Sequence, residues 1–285
     1  MEQSKILKKI KQKIIFPEQI DSEKKIMKKI EKIFENEVFH NYFKKEFLKK
    51  ENKEIDPNSM KEVYPYKPQI RDLFRVYEFI KLNKRTTVLE IGSGWSTLFI
   101  SLALDKLRQK YGSKIQNLRR TNPFYLFSLE NEKKFLKTSK NRLSKYYKKI
   151  NFKNNISFCH SNCYISKFEN KYTIQYENFP ICNPDFIYID GPDIFNVKGV
   201  EDGFSYGHKD IMPISSDVLK IEYFLIPGTI ILFDGRAANA QFLKDHFKRD
   251  WLYYADKKND QHIFYLNAPS LGKLNDRLKK FYENN

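Results

Sequence analysis

The sequence predicts a doubly wound α/β domain carrying an N-terminal helical appendage, and three observations predict it. From residue 87 onward, short apolar strands alternate with helical stretches, the pattern of crossover units built around a parallel sheet. The internal strands TVLEI (87–91), FYLFSL (124–129), DFIYID (185–190) and TIILFD (229–234) are nearly continuous apolar runs, as expected of strands covered on both faces. The last two, DWLYYAD (250–256) and QHIFYLN (261–267), lie only a few residues apart. That is too close for a helical crossover, so they should pair as an antiparallel hairpin.

The elements follow in order. In residues 1–62, Ile6, Ile10, Ile14 and then Ile26, Ile30, Phe34 fall at helical spacing with lysines between them, and Pro17 and Pro57 punctuate the region. This predicts a helical appendage over 1–67, which caps a site or drives oligomerisation, ahead of a main domain at 68–285. A helix is expected from Pro68 to Lys81, and others at about 96–111, 132–149, 215–225 and 237–248, with a short strand at 156–160 (ISFCH). The connection Gly191–Pro213 holds Tyr206, His208 and Asp210. Loops of that length inside a compact domain are usually functional, which suggests an acceptor-binding lid.

Composition narrows the class. The chain is 41% apolar with 24 Phe and 18 Tyr, enough to bury a core. Cys159, Cys163 and Cys182 form no CxxC pair, which argues against a zinc ribbon or a disulfide framework and fits a reducing cytoplasm. The lysine-rich first twenty residues lack the apolar run of a signal peptide. The most apolar stretch, 223–233, is short for a membrane span and broken by Pro227 and Gly228. Net charge is +17, and residues 106–154 alone hold fifteen Lys/Arg against two acids. Such a stretch reads either as a landing surface for phosphates, nucleic acid or an anionic glycan, or as solvated helix faces in a lysine-rich chain. Aromatics are not interleaved for base stacking, which favours the second.

Ligands of open α/β sheets bind outside the carboxyl ends of the strands. Those ends are Glu90-Ile91-Gly92-Ser93-Gly94, Glu130, His160-Ser161-Asn162, Asp190-Gly191-Pro192-Asp193 and Asp234-Gly235-Arg236. Gly92 and Gly94 permit a tight turn with close ligand approach. Thr97 stands where a dinucleotide fingerprint has its third glycine, and Glu130 lies well beyond the usual distance for a ribose acid of that fold. Both facts count against NAD.

The run E-I-G-S-G after a strand resembles the first motif of class I S-adenosylmethionine-dependent methyltransferases. The resemblance covers about residues 68–267. It implies a seven-stranded, mostly parallel Rossmann-like methyltransferase sheet that binds S-adenosylmethionine through Glu90, Gly92, Ser93, Gly94 and Asp190. It further implies that Glu130 accepts from both ribose hydroxyls and that Asn162 stands at the adenine. Asp190 and Asp234 are similar to the strand-end acids of catechol, caffeoyl-CoA and sugar O-methyltransferases, which hold a divalent cation such as Mg2+ or Mn2+. An Asn commonly follows the second acid there; here Gly235 does, and Asn239 or Asp193 would have to complete the shell. Metal-free catalysis is the alternative, with Asp190 or His208 as general base. Arg236 either pairs with Asp234 or reaches an anionic acceptor.

The expected activity is O-methylation of a small molecule or saccharide. RNA methylation over the 106–154 surface is the alternative, disfavoured because 187–193 carries no Asn-Pro-Pro-Tyr type of motif. A binding module that has kept the cofactor fold without the chemistry is a third reading.

Overall fold

The computed structural model describes residues 2–34, 41, 43–45, 69–118, 120–147, 155–206, 211, 212 and 214–283. Its main sheet is built from β1 (Thr87–Ile91), β2 (Tyr125–Glu130), β3 (Ile156–His160), β6 (Phe186–Ile189), β8 (Ile230–Asp234), β9 (Trp251–Asp256) and β10 (Gln261–Leu266), in the order β3-β2-β1-β6-β8-β10-β9. The first five run parallel; β10 is antiparallel to both β8 and β9. The order reverses at β1, between β2 and β6, which is where such a sheet opens a crevice. The seven strands, their mostly parallel arrangement and the antiparallel terminal hairpin are as expected from the sequence.

Period-two alternation divides the core. Val88, Leu126, Phe186, Ile230 and Ile263 face one side, where they meet α3 (Ile70–Leu82), α4 (Trp95–Ile115) and the N-terminal helices. Leu89, Leu129, Ile187, Ile231 and Phe264 face the other. The isoleucines of α1 (Glu2–Lys11) and α2 (Glu23–Ile33) do what their spacing suggests: Ile10, Ile26 and Ile30 are wholly buried, in one cluster with the sheet. Helix α1 lies on β9 and α2 on α3. Farther on, Phe43 packs edge-on against Trp95, the first residue of α4, at 5.0 Å between ring centres.

The second face departs from expectation. A hairpin of β4 (Cys163–Phe168) and β5 (Lys171–Tyr176) stands between β3 and β6, where no element was predicted. Its signal is present in the sequence. Buried Cys163 and Ile165 flank an exposed Tyr164 at the start of β4, and Glu169 and Asn170 at the tip both have positive φ, the mirror-image turn that two-residue hairpins require. The described part of the Gly191–Pro213 connection carries structure of its own. It contains β7 (Val197–Lys198), which pairs with β4 to make a three-stranded sheet, and a bridge between Glu201 and Phe204. Further helices among the described residues are α5 (Lys133–Tyr147), α6 (Asp217–Ile221), α7 (Ala237–His246) and α8 (Lys273–Glu283). The last was not expected; its apolar contribution is confined to Leu278, Tyr282 and a half-buried Phe281 among lysines.

At the foot of the sheet, Asp185 is fully buried and accepts the N–H groups of Thr86 and Thr87 and the hydroxyls of Thr86 and Tyr282, all between 2.7 and 3.0 Å. It ties β1, β6 and α8 together. Asp185→Ala leaves those donors without partners and is expected to cost about 3 kcal/mol of unfolding free energy, a fall in Tm of roughly 9 °C in a thermal melt. A melt unchanged within about 2 °C would show that the anchor does not matter.

Candidate active site

The glycine turn after β1 is braced from below. Glu90 is 0% exposed and accepts Ser96 Oγ at 2.7 Å, Thr97 Oγ1 at 2.8 Å and Ser128 Oγ at 2.6 Å. Thr97 Oγ1 in turn accepts the Gly94 N–H at 3.1 Å. Burial pushes the Glu90 carboxyl up to about 7 against the pull of these hydroxyls. Both carboxylate oxygens are engaged by turn and strand hydroxyls, so Glu90 shapes the turn from within it.

Gly92 (φ +99°) touches the backbone of β6's end: a Cβ there would lie 2.7 Å from Gly191 N and 2.8 Å from the Asp190 carbonyl carbon. The converse holds at Gly191, whose Cβ would lie 2.7 Å from Gly92 Cα and Gly92 N. Only hydrogen fits at either position, and this contact brings the motif's turn and Asp190 into one cleft.

Glu130 closes β2 beside the turn. Its Oε2 accepts the Ser93 N–H at 2.7 Å and its Oε1 the Glu132 N–H at 2.8 Å. Burial raises the carboxyl to about 7, opposed by backbone N–H groups of Glu132, Ser93 and Asn131. The structure therefore brings Glu90, Gly92, Ser93, Gly94, Glu130 and Asp190 together at the switch point. Asn162 is half-buried at the end of β3; it accepts from Lys198 Nζ at 2.8 Å and donates to Glu177 at 3.2 Å, bonds that tie β3 to the small sheet. His208 lies outside the described residues.

Asp190 and Asp234 end adjacent strands. Asp234 Oδ2 accepts the Tyr188 hydroxyl at 2.6 Å, and desolvation raises its carboxyl above the usual range. The Asp190 side chain is 54% exposed at the cleft floor. Desolvation raises it, Arg236 opposes the rise and Asp234 adds to it. Arg236 does not pair with Asp234. Its Nη2 donates to the Asp190 carbonyl at 2.6 Å, and its Nε stands 3.8 Å from Asp190 Oδ1. It does so from a left-handed backbone conformation, φ +49°, a strain of about 1 kcal/mol that tends to persist where function requires it.

A divalent cation can be tested against these donors. No group of three His, Cys, Asp or Glu among the described residues could hold one. Asn239 is buried and donates to the Ser215 carbonyl, and Asp193 Oδ1 caps the turn at Phe195. With Tyr188 on one carboxylate and a guanidinium against the other, the described residues do not fit a metal.

Three residues were not singled out by sequence reasoning. Asn131, wholly buried, clamps Asp193 by accepting its N–H and donating to its carbonyl, both at 2.9 Å; an amide directly after a strand-end acid was the available signal. Asp72, at the start of α3, feels the charges of Asp234 and Asp190, and burial pushes it up to about 7. Tyr176 of β5 is buried with its hydroxyl unpartnered. Elsewhere His262 accepts or donates through Nδ1 to the Tyr253 hydroxyl at 2.8 Å, a satisfied histidine. Within the basic stretch, Arg142 stacks on Trp95 at 3.8 Å and Lys140 over Phe158 at 5.5 Å, so part of that charge packs on the protein itself.

No family model and no curated protein matches the chain. Among solved structures, it is similar to the S-adenosylmethionine complex of the O-methyltransferase TomG from Streptomyces achromogenes (10% identity, 70% of this chain and 82% of that one, TM-score 0.36). It is also similar to an O-methyltransferase from Bacillus cereus with S-adenosylhomocysteine (13% identity, 73% and 83%, TM-score 0.33), and to the S-adenosylhomocysteine-bound methyltransferase PaMTH1 of Podospora anserina (12% identity, 89% and 100%, TM-score 0.38). Likenesses this distant assign no function to the chain. No described helix is long and apolar enough to cross a membrane.

Proposed function

We propose that the chain binds S-adenosylmethionine at the β1–β2–β6 switch point and transfers its methyl group to an oxygen of a small-molecule or saccharide acceptor. One observation carries this reading: Glu130 is held by the Ser93 N–H directly beside the glycine turn, where one carboxylate can serve both ribose hydroxyls while the turn receives the rest of the cofactor. The close contact of Gly92 with Gly191 supports a role for Asp190 directly beside the turn. Asp190 is the half-exposed carboxylate there, open to an acceptor hydroxyl whose proton it can take as general base.

The mechanism asks little of covalent chemistry. The cofactor supplies an electrophilic methyl on a sulfonium. The chain's residues hold the acceptor oxygen in line with it, remove the hydroxyl proton at Asp190 Oδ, and keep water away. Asp234, fixed by Tyr188, lies behind Asp190 and raises its proton affinity.

Calorimetry tests the premise: micromolar binding of S-adenosylhomocysteine is expected, and absence of binding by it and by S-adenosylmethionine sinks the proposal. Asp190→Asn should leave that affinity within about threefold, below 1 kcal/mol, while lowering methyl transfer by roughly a hundredfold or more. Transfer undiminished in Asp190→Asn removes that residue from the chemistry.

A further inference from the structure

The acceptor end of the cleft has a composition of its own. Among the described residues, seven buried side-chain nitrogen and oxygen atoms have no hydrogen-bond partner, and four of them belong to three residues: Arg236 Nε and Nη1, Tyr176 OH and Asp193 Oδ2. Buried polar atoms are nearly always satisfied, and an unsatisfied group calls for a partner such as a ligand or water. These atoms share one electrostatic neighbourhood. Tyr176 feels Glu130 and Arg236, and Asp193 feels Arg236. They also come from three separate elements, β5, the turn after β6 and the turn after β8.

The chemistry of the unused atoms is mixed in a specific way. Arg236 and Tyr176 offer donors. Arg236 is already fixed by one bond to the Asp190 carbonyl, so little rotamer freedom remains to be lost when it binds. A guanidinium with free N–H groups is suited to carboxylate or phosphate oxygens. Asp193 Oδ2 offers an acceptor, suited to a hydroxyl of the same ligand.

We infer that Arg236, with Tyr176 and Asp193, is the specificity element for an anionic, hydroxylated acceptor, one that carries a carboxylate or phosphate near the hydroxyl to be methylated. This rests on the methyl-transfer reading for the fate of the ligand, although the oxyanion site itself does not. Arg236 stands against Asp190, so an oxyanion held by it lies beside the base. A neutral saccharide leaves the guanidinium's donors unused, and an exposed lysine surface lacks the buried tyrosine and carboxylate.

The test uses the full chain with ¹⁵N-labelled arginine, saturated with S-adenosylhomocysteine, and follows the side-chain Nε–H signals by NMR. The Arg236 signal is assigned by its loss in Arg236→Gln. Inorganic phosphate and benzoate are titrated separately, which distinguishes a phosphate-bearing from a carboxylate-bearing acceptor. Saturable movement of the Arg236 signal with at least one anion is expected. Binding of that anion, measured by calorimetry, should weaken at least tenfold in Arg236→Gln and several-fold in Tyr176→Phe. Tyr176→Phe keeps the buried ring and removes only its hydroxyl, so it should fold normally and guards against a misfolded Arg236 variant.

An Arg236 signal that moves with neither anion overturns the inference, as does unchanged anion affinity in both variants. Affinity for S-adenosylhomocysteine is read in the same samples. If the cofactor product fails to bind while the Arg236 signal still moves, methyl transfer falls and the oxyanion site stands.

Discussion

Gly92→Ala is expected to abolish cofactor binding and to destabilise the fold by roughly 3 kcal/mol or more. The backbone at 92 has φ +99°, a region that side-chain-bearing residues seldom adopt. The added methyl would also lie 2.7–2.9 Å from backbone atoms of Asp190 and Gly191, which cannot rotate away as a side chain tip could. Relief requires β1 and β6 to separate at their carboxyl ends, where Asp190 N donates to the Ile91 carbonyl at 2.9 Å. The cleft would widen at the point where cofactor and acceptor must meet. Thermal melts and calorimetry with S-adenosylhomocysteine check both halves. Gly112→Ala is the control: nothing lies within 4 Å of the Cβ it would add, so melting temperature and affinity should not fall. A Gly92→Ala protein that binds normally would mean that the turn is not read through its backbone.

The fold was legible because the sheet is buried on both faces. Apolar runs marked β1, β2, β6 and β8, and the short gap between β9 and β10 fixed their antiparallel pairing. The hairpin β4–β5 was harder, since its burial alternates over a short stretch only: Tyr164 is exposed between the buried Cys163 and Ile165, and farther along Lys167 is exposed on the face those two share. Its pattern is carried by single alternate residues rather than by a run. Helix α8 was missed for a related reason, because its buried contacts rest on few side chains and one of them is a tyrosine hydroxyl reaching Asp185.

In the cleft, residue types at strand ends were readable as chemistry, and their directions were not. Glu90 and Glu130 are both strand-end acids in the sequence. The first is consumed by the hydroxyls of Ser96, Thr97 and Ser128 and the second is held by backbone N–H groups at the cleft. Arg236 follows Asp234 in sequence, yet its left-handed backbone turns it to Asp190 across the strand gap. Side-chain direction there depends on φ at a single residue, which no periodicity encodes.

Glu130 gives the other large effect. Accepting two ribose hydroxyls needs a carboxylate, and each charge-assisted bond is worth about 1.5–3 kcal/mol. Glu130→Gln is thus expected to weaken S-adenosylhomocysteine roughly a hundredfold, near 3 kcal/mol. The wild-type affinity should also depend on pH with a definite sign. Burial has raised the carboxyl to about 7, so below that value the cleft holds a protonated acid. In the free protein this raised pKa favours the protonated folded state: its contribution to stability is present below the ordinary carboxylate range and is lost as pH rises toward 7. Cofactor binding runs the other way and must expel the proton. Affinity is therefore expected to be flat above about pH 7 and to fall about tenfold per unit below it, with one proton released per cofactor bound. Glu90 titrates in the same range, but its oxygens are spent on the turn. Glu130→Gln should consequently flatten the profile, and calorimetry in buffers of differing ionisation enthalpy counts the protons. Affinity that does not change between about pH 5.5 and 8, or a Gln variant that keeps the wild-type slope, would remove Glu130 from the ribose.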